Sequence, residues 1–374
     1  MKPPGIRSIC CVLLAVGLTA GVVSCSSDGA EPEPTGTGKA VAFSIDGIQS
    51  RALVTSSVRR IGVFGYSHTG TWAANGTTAV PDYYLNQAVI DRNGTGNWTY
   101  NGVTKYWPTD DKKVSFFAYA PYDDLDEYFN LIPSTKNVAG SPQMTYSVPA
   151  SVYDQIDILY NMQRDQTRNT NNGTVAFTMD HALTRIGFQI KLKDNEKDRP
   201  FVVTINELSL QNVVSAGTLD MSKALNADDL WMLNRPATDA GLAAYTFTPA
   251  PYGGMNTIQF DARKTESFDF TDVLVADQYL MLLPQPLAAQ GDGLAQQKVV
   301  LKYTVLNDLL NTTEEIEKEI ILYNTTLPKW EAGKGINYQL TLSVVDGLAI
   351  EFQVAALDPW GNGNNGGTVI GDVN

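Results

Sequence analysis

The chain has 374 residues, 43% of them hydrophobic, and a formal net charge of −13. That length exceeds what one core usually serves and predicts two domains, and the acidity argues against nucleic acid as a partner, because phosphate-binding surfaces are basic. With three cysteines (Cys10, Cys11, Cys25) and two histidines (His68, His181), the mature chain has no disulfide framework and must be held by core packing.

The chain opens on Lys2 and Arg7, then an apolar run from Ile9 to Thr19 that falls short of the ~20 residues a bilayer requires. Small residues lead to Cys25, the layout of a secretory signal peptide over residues 1–24. The cysteine just after the cleavage point resembles a bacterial lipobox, in which the thiol is diacylated and the chain is cut before it. The alternative is an ordinary signal peptide with an incidental cysteine. Residues 1–24 carry two basic and no acidic side chains, so the mature balance is 25 basic to 40 acidic, −15. Residues 25–38 are small, acidic, proline and glycine residues, as in a flexible tether. No later segment is apolar enough to cross a membrane, which leaves the lipid as the anchor.

Beyond the tether, period-two alternation dominates, predicting an all-β fold. Ile61 to Tyr66, Val114 to Ala120 and Phe201 to Ile205 are apolar on both faces and read as central strands. Asn101-Gly102, between Trp98-Thr-Tyr100 and Val103-Thr-Lys105, predicts a type I′ hairpin in which Tyr100 faces Val103 and Trp98 faces Lys105. Arg164 to Gly173 is polar and turn-forming, so it divides the chain into domains over 39–172 and 173–360. Ile186 to Lys193, Val299 to Val305 and Ile336 to Val344 alternate cleanly, with one face buried and one wet, as in antiparallel sheets packed in a sandwich. Lys223 to Leu233 fits a short helix. Thr312 to Leu322 fits a helix start or a strand, and the strand is preferred because it closes a hairpin with Val299 to Val305. Ile350 to Val354 is a last strand of the second domain, ended by Asp358-Pro-Trp360. Residues 361–374 are a Gly/Asn linker followed by Thr368 to Val373, and the linker's seven residues reach ~15 Å as a random coil.

Chemistry is hard to place. With one His68 and one His181, a Ser-His-Asp or metal constellation finds no support in spacing; H-E-x-x-H and G-x-S-x-G are absent. Asp123-Asp-Leu-Asp-Glu127 supplies hard oxygens for calcium but lacks the glycine and spacing of an EF-hand loop, and equally reads as a solvated acidic loop. Gly361 to Gly367 lacks the lysine of a phosphate loop. The aromatics Trp72, Tyr83, Tyr84, Trp98, Tyr100, Tyr106 and Trp107 could form a glycan platform or simply sheet interior. No residue is assigned to catalysis, a metal or a cofactor.

Five segments in order carry a resemblance: Trp98-Thr-Tyr-Asn-Gly-Val-Thr-Lys-Tyr-Trp-Pro108, Val114-Ser-Phe-Phe-Ala-Tyr-Ala-Pro-Tyr122, His181-Ala-Leu-Thr-Arg-Ile186, Met281-Leu-Leu-Pro-Gln285 and Trp330-Glu-Ala-Gly-Lys334. In this order they resemble the fimbrillin family of Bacteroidetes, the subunits and accessory proteins of type V pili. The resemblance implies two tandem transthyretin-like antiparallel β-sandwich domains, lipoprotein export through Cys25, and assembly into a surface fibre. It implies that a protease can cut after Arg51, within Ser50-Arg51-Ala52, or at Arg59-Arg60. The cut would free a first strand carrying Val41, Phe43 and Ile45, and a neighbour's strand would fill the groove; the alternative is that Val41 to Ile45 stays paired in its sheet. Thr368, Val369, Ile370 and Val373 are the matching donor segment, or one that folds back on its own sheet. The partners implied are other pilus subunits, the outer membrane through the lipid, and a host receptor or glycan; the location is the outer membrane surface and the fimbrium. A monomeric lipid-anchored adhesin or glycan-binding protein on the same sandwich is the competing reading.

Overall fold

The computed structural model describes residues 38–48, 58–72, 82–92, 97–122, 129–132, 142–249, 253–275, 278–346, 348–357 and 369–373. The described residues form strands joined by turns. In chain order the first nine are β1 (Ala42–Ile48), β2 (Arg60–His68), β3 (Asp82–Arg92), β4 (Trp98–Tyr100), β5 (Lys113–Ala120), β6 (Phe129–Ile132), β7 (Gln143–Ser147), β8 (Leu159–Gln166) and β9 (Thr174–His181). Next come β10 (Thr184–Leu192), β11 (Phe201–Val213), β12 (Ala216–Asp220), β13 (Trp231–Leu233), β14 (Ala243–Pro249), β15 (Gly254–Met255), β16 (Gln259–Asp261), β17 (Thr271–Asp272) and β18 (Leu280–Leu282). The last are β19 (Gln285–Pro286), β20 (Lys298–Asn307), β21 (Thr312–Ile321), β22 (Lys329–Trp330), β23 (Gly335–Leu342), β24 (Ile350–Leu357) and β25 (Val369–Val373).

A seven-stranded sheet runs β1-β9-β8-β5-β2-β3-β4. Its ends approach each other: Val41 N donates to Lys105 O (2.9 Å) and Trp107 N to Lys39 O (2.9 Å), so the segment after β4 meets the start of β1. The sheet therefore curls around an enclosed core of Phe43, Ile61, Val63, Phe116, Val175 and Phe177 among others. Its opposite face carries Phe64, Tyr66, Phe117, Tyr119 and Tyr160 and joins the main core. Two buried faces explain why Ile61 to Tyr66 of β2 and Phe116 to Ala120 of β5 are apolar without alternation: a central strand covered on both sides has no wet face to mark with polar residues. Gly62 is required here, since a Cβ at this position would lie 2.2 Å from the Tyr119 ring.

Two six-stranded sheets, β17-β10-β23-β24-β25 with β18 on β10, and β15-β14-β11-β20-β21 with β16 on β11, share the main core. Ile186, Phe188, Ile190 and Leu192 of β10 and Ile336, Tyr338, Leu340 and Leu342 of β23 meet Val299, Leu301 and Tyr303 of β20 in one cluster. The alternating segments thus pack as a sandwich. Most ladders are antiparallel, but β1·β9, β10·β23 and β14·β15 run parallel.

Thr312 to Ile321 is a strand and pairs with β20 along its whole length. The helix expected over Lys223 to Leu233 is instead a chain of turns ending in β13. Backbone bonds Lys223 N to Asp220 O and Leu230 N to Ala227 O span three residues and do not continue as a helix. The expected Asn101-Gly102 hairpin is also absent. Of the two residues only Gly102 has positive φ (+129°), whereas a type I′ turn needs it at both. β4 pairs with β3, and the segment after the turn bonds Lys39 and Val41 just ahead of β1, so tertiary pairing overrides the local signal. The strand following residue 173, β9, is bonded into the first sheet. The four-stranded sheet β13-β12-β7-β6 also joins residues from both sides of that division.

Candidate functional site

β1 sits between β9 and the Lys105–Trp107 segment as a closing strand. It runs parallel to β9, with Phe43 opposite Val175 and Ile45 opposite Phe177. Val41 and Phe43 are buried and Ile45 packs on the same cluster, while Ala42 and Asp46 face solvent. Phe43 is the centre of the contact: its ring lies 5.6 Å from Tyr100, 5.7 Å from Phe116 and 6.0 Å from Phe177. Trp107 closes the far side, edge-on to Phe116 at 5.8 Å and bonded from Nε1 to Gly173 O at 3.0 Å. Lys39 bonds Arg168 O and Asn172 Oδ1 at the mouth. Taken away, β1 would leave unpaired backbone on β9 and an aromatic-walled trough, the kind of edge another strand adds to.

Val369, Ile370 and Val373 lie in β25, which pairs antiparallel with β24 (Phe352 opposite Val373, Ala355 opposite Val369). Thr368, Cys25, Arg51 and the Asp123–Glu127 cluster lie outside the described residues. Arg59 is exposed just before β2, and Arg60 pairs with Asp91 at 3.6 Å.

The aromatics divide. Trp72 is 3% exposed and packs on Tyr66 and Phe117; Trp107 is also buried. Trp98 and Tyr100 are half-buried against the enclosed core, whereas Val103 is 56% exposed, so the expected facing of Tyr100 and Val103 does not form.

His68 does meet a serine and an aspartate: Nε2 lies 2.8 Å from Ser115 Oγ and 3.6 Å from Asp165 Oδ1. Both contacts use one ring nitrogen, whereas a catalytic relay places carboxylate and hydroxyl on opposite nitrogens. Ser115 is fully buried and its Oγ accepts the Asp165 N–H (3.0 Å), while Asp165 Oδ1 accepts the Trp72 N–H (2.8 Å). The group ties a bulge between β5 and β8 to the Trp72 turn. Burial lowers the His68 pKa, against the opposing pull of Asp165, and so favours the neutral ring. Sequence reasoning missed this cluster because the bulge that brings Asp165 to Ser115 leaves no mark in the residue pattern.

His181 belongs to a second group, with Nδ1 2.7 Å from Asp157 Oδ2. Three of the family-like segments converge there. Arg185 N bonds Lys334 O, Gly333 N bonds Leu183 O, and Arg185 faces Met281 across the β10·β18 ladder. Gly333 has φ +68°, which favours glycine. Trp231 Nε1 donates to Ala182 O at 2.8 Å, Trp330 Nε1 to the Tyr338 hydroxyl at 2.9 Å, and the Arg185 guanidinium lies 4.3 Å over the Tyr279 ring. This is the joint where the chain leaves the first sheet and enters the second. Beside it is a cleft of about 410 Å³ between Leu225, Trp231, Pro284 and Trp330, bridged by Lys329 Nζ to Asp228 Oδ1 at 3.0 Å.

The fimbrillin-like family model matches residues 51–360. The chain belongs to the fimbrillin-like family. Within it, this fimbrillin-like chain is 30% identical over 196 residues to the fimbrium subunit Fim1C of Phocaeicola vulgatus, a match covering 48% of this chain and 51% of that one. It thus spans about half the length of the curated relative it matches. A fimbrial protein from Bacteroides vulgatus shares the fold, with a TM-score of 0.67 and 21% identity over 86% of this chain and 99% of that one.

Proposed function

We propose that this fimbrillin-like chain is a structural or accessory subunit of a type V pilus, exported as a lipoprotein through Cys25 and displayed on the outer membrane surface. Cleavage after Arg51 would cut the chain behind β1, and a neighbouring subunit's strand would then take β1's place beside β9. The observation that carries this reading is the seating of β1: this short strand, with the Val41 that precedes it, supplies Val41, Phe43 and Ile45 to the enclosed core. An interface of that kind is heterologous, so repetition builds an open filament. The two sandwich regions are proposed as tandem domains, the first taking in β9.

Family membership supports a structural role over a hydrolytic one. In the competing reading as a glycan-binding adhesin, Trp72 would have to leave the core to stack on a sugar. The test is to shear fibres from cells and identify the chain and its first residue by mass spectrometry. Chains starting at Ala52 within fibres are expected; recovery solely as a free monomer retaining β1 would defeat the proposal.

A further inference from the structure

The β20–β21 hairpin ends in an apolar tip that its surroundings do not cover. Leu309 is 79% and Leu310 69% exposed, with Leu306 beside them at 38%. The tip is braced. Asn307 Oδ1 accepts the N–H groups of both Leu309 and Leu310 (3.1 and 3.2 Å), Asp308 N donates to Pro200 O at 2.8 Å, and the Asp308 carboxylate pairs with Arg263. Adjacent leucines held outward by these ties form a fixed knob, and such a patch marks an interaction surface.

The cleft between Leu225, Trp231, Pro284 and Trp330 is the matching hollow. Its deeper polar groups are already satisfied by the protein: Trp231 Nε1 by Ala182 O, Trp330 Nε1 by the Tyr338 hydroxyl, and the Gln285 side chain by the Val214 backbone and Leu283 O. The walls therefore offer an occupant apolar contact, which suits aliphatic side chains over a hydroxyl-rich ligand. At about 410 Å³ the cleft is ample for a pair of leucine side chains.

Knob and cleft lie at opposite ends of the same hairpin. Leu322 N bonds Gln297 O (3.0 Å), Ala288 N bonds Gln297 Oε1 (2.8 Å) and Leu287 N bonds Pro328 O (2.9 Å), which ties the Pro286 and Lys329 margin of the cleft to the base of β20 and β21. The ten residues of β20 separate that base from the tip, about 30 Å at the rise of a strand. The tip cannot reach the cleft of its own chain, whereas copies stacked end to end bring one to the other. Charge agrees. Lys334 at the cleft is exposed and forms no ion pair among the described residues, and the same holds for Glu314 and Glu315, just past the tip on β21.

We propose that the Leu309–Leu310 tip of one copy seats in the Trp330 cleft of the next, with Glu314 and Glu315 facing Lys334. The contact joins two different surfaces, so it repeats along an open line of copies. It uses nothing of β1, and either contact can fail without the other.

Sedimentation velocity on the full chain, with β1 intact, tests this. Leu309→Ser/Leu310→Ser removes the knob, Asn226→Trp covers the exposed mouth of the cleft, and Lys334→Glu is a second cleft variant that leaves the walls untouched. Wild type should associate progressively with concentration. Each variant, at an unchanged melting temperature, should associate more weakly by about tenfold or more, the scale of losing a central apolar anchor. Mixing the tip variant with Asn226→Trp should restore one contact and stop at a pair, since one partner keeps the cleft and the other the tip. A wild type that stays monomeric at its highest soluble concentration would overturn the proposal, as would association that survives loss of both leucines or both cleft changes. Flotation with phosphatidylethanolamine–phosphatidylglycerol vesicles that needs the two leucines, in a chain that does not self-associate, would also overturn it and assign the tip to a membrane.

Discussion

Replacing Phe43 by alanine measures how firmly β1 is held. The side chain is 6% exposed and touches three rings. Its burial contributes about 2–3 kcal/mol, and each aromatic pair adds about 0.5–1.5 kcal/mol beyond area. Phenylalanine-to-alanine changes in cores cost about 3–5 kcal/mol. Because β1 has room to relax at the margin of the sheet, Phe43→Ala should fall at the lower end, about 3 kcal/mol. With a urea dependence of about 3 kcal/mol per molar, the unfolding midpoint of the first sheet drops by about 1 M. Tryptophan fluorescence reports the transition, since Trp107 borders the slot. Ser44→Ala, on the outward face and bonded to Asp46, is the control and should stay within about 0.5 kcal/mol. A Phe43→Ala midpoint within a third of a molar of wild type, or a control shift of equal size, would refute the seating of β1 as described.

Trp72→Ala should lower stability by about 3–5 kcal/mol, because the ring is packed on Tyr66, His68 and Phe117; a variant with unchanged melting temperature and lost sugar binding would contradict this. Gly62→Ala should cost about 1–3 kcal/mol by overpacking, since the new Cβ meets the Tyr119 ring; Tyr119→Ala in the same chain should relieve that clash, and denaturation of the double variant shows whether it does. Burial holds the His68 pKa below the 6.5 of an exposed histidine. The unfolded chain therefore takes up the proton first, and the stabilisation, complete above pH 6.5, is lost as pH falls through the folded value. Asp180, whose pKa burial raises, works in the opposite sense, so the readout is the difference between wild type and His68→Gln. That variant should show a flatter stability profile as pH falls below 6.5.

Residue order revealed whatever depends on side-chain period. Ile186, Phe188, Ile190 and Leu192 announce a buried face in any register, and so do Val299, Leu301 and Tyr303. The double-sided burial of β2 and β5 was legible for the same reason. Turn chemistry was less reliable. Asn101-Gly102 satisfies a local rule, but Trp107 gains a buried ring contact and the bond to Gly173 O by carrying its segment to β1 instead. The parallel pairing of β1 with β9 joins residues some 130 positions apart, and nothing local encodes such a partner. Among the residues of the candidate site, Val41, Phe43 and Ile45 were singled out through the family pattern, whereas their neighbours in the core, Tyr100, Phe116 and Phe177, required the fold.

The separation of the two cores decides whether losing β1 is survivable. Val41, Phe43 and Ile45 contribute to the enclosed cluster alone, and none of them reaches the main core. The sheet under that cluster is gripped from its other face by Phe64, Tyr66, Phe117, Tyr119 and Tyr160, which pack with Met144, Tyr146 and Leu219. Withdrawing β1 therefore strips one wall from a small core while β2, β5 and β8 stay fixed by a larger one. A strand whose removal unravelled both clusters could not serve as an exchangeable part. One that uncovers a trough in an otherwise held sheet can, because the exposed apolar surface and the free edge of β9 supply the driving force for a new strand to bind.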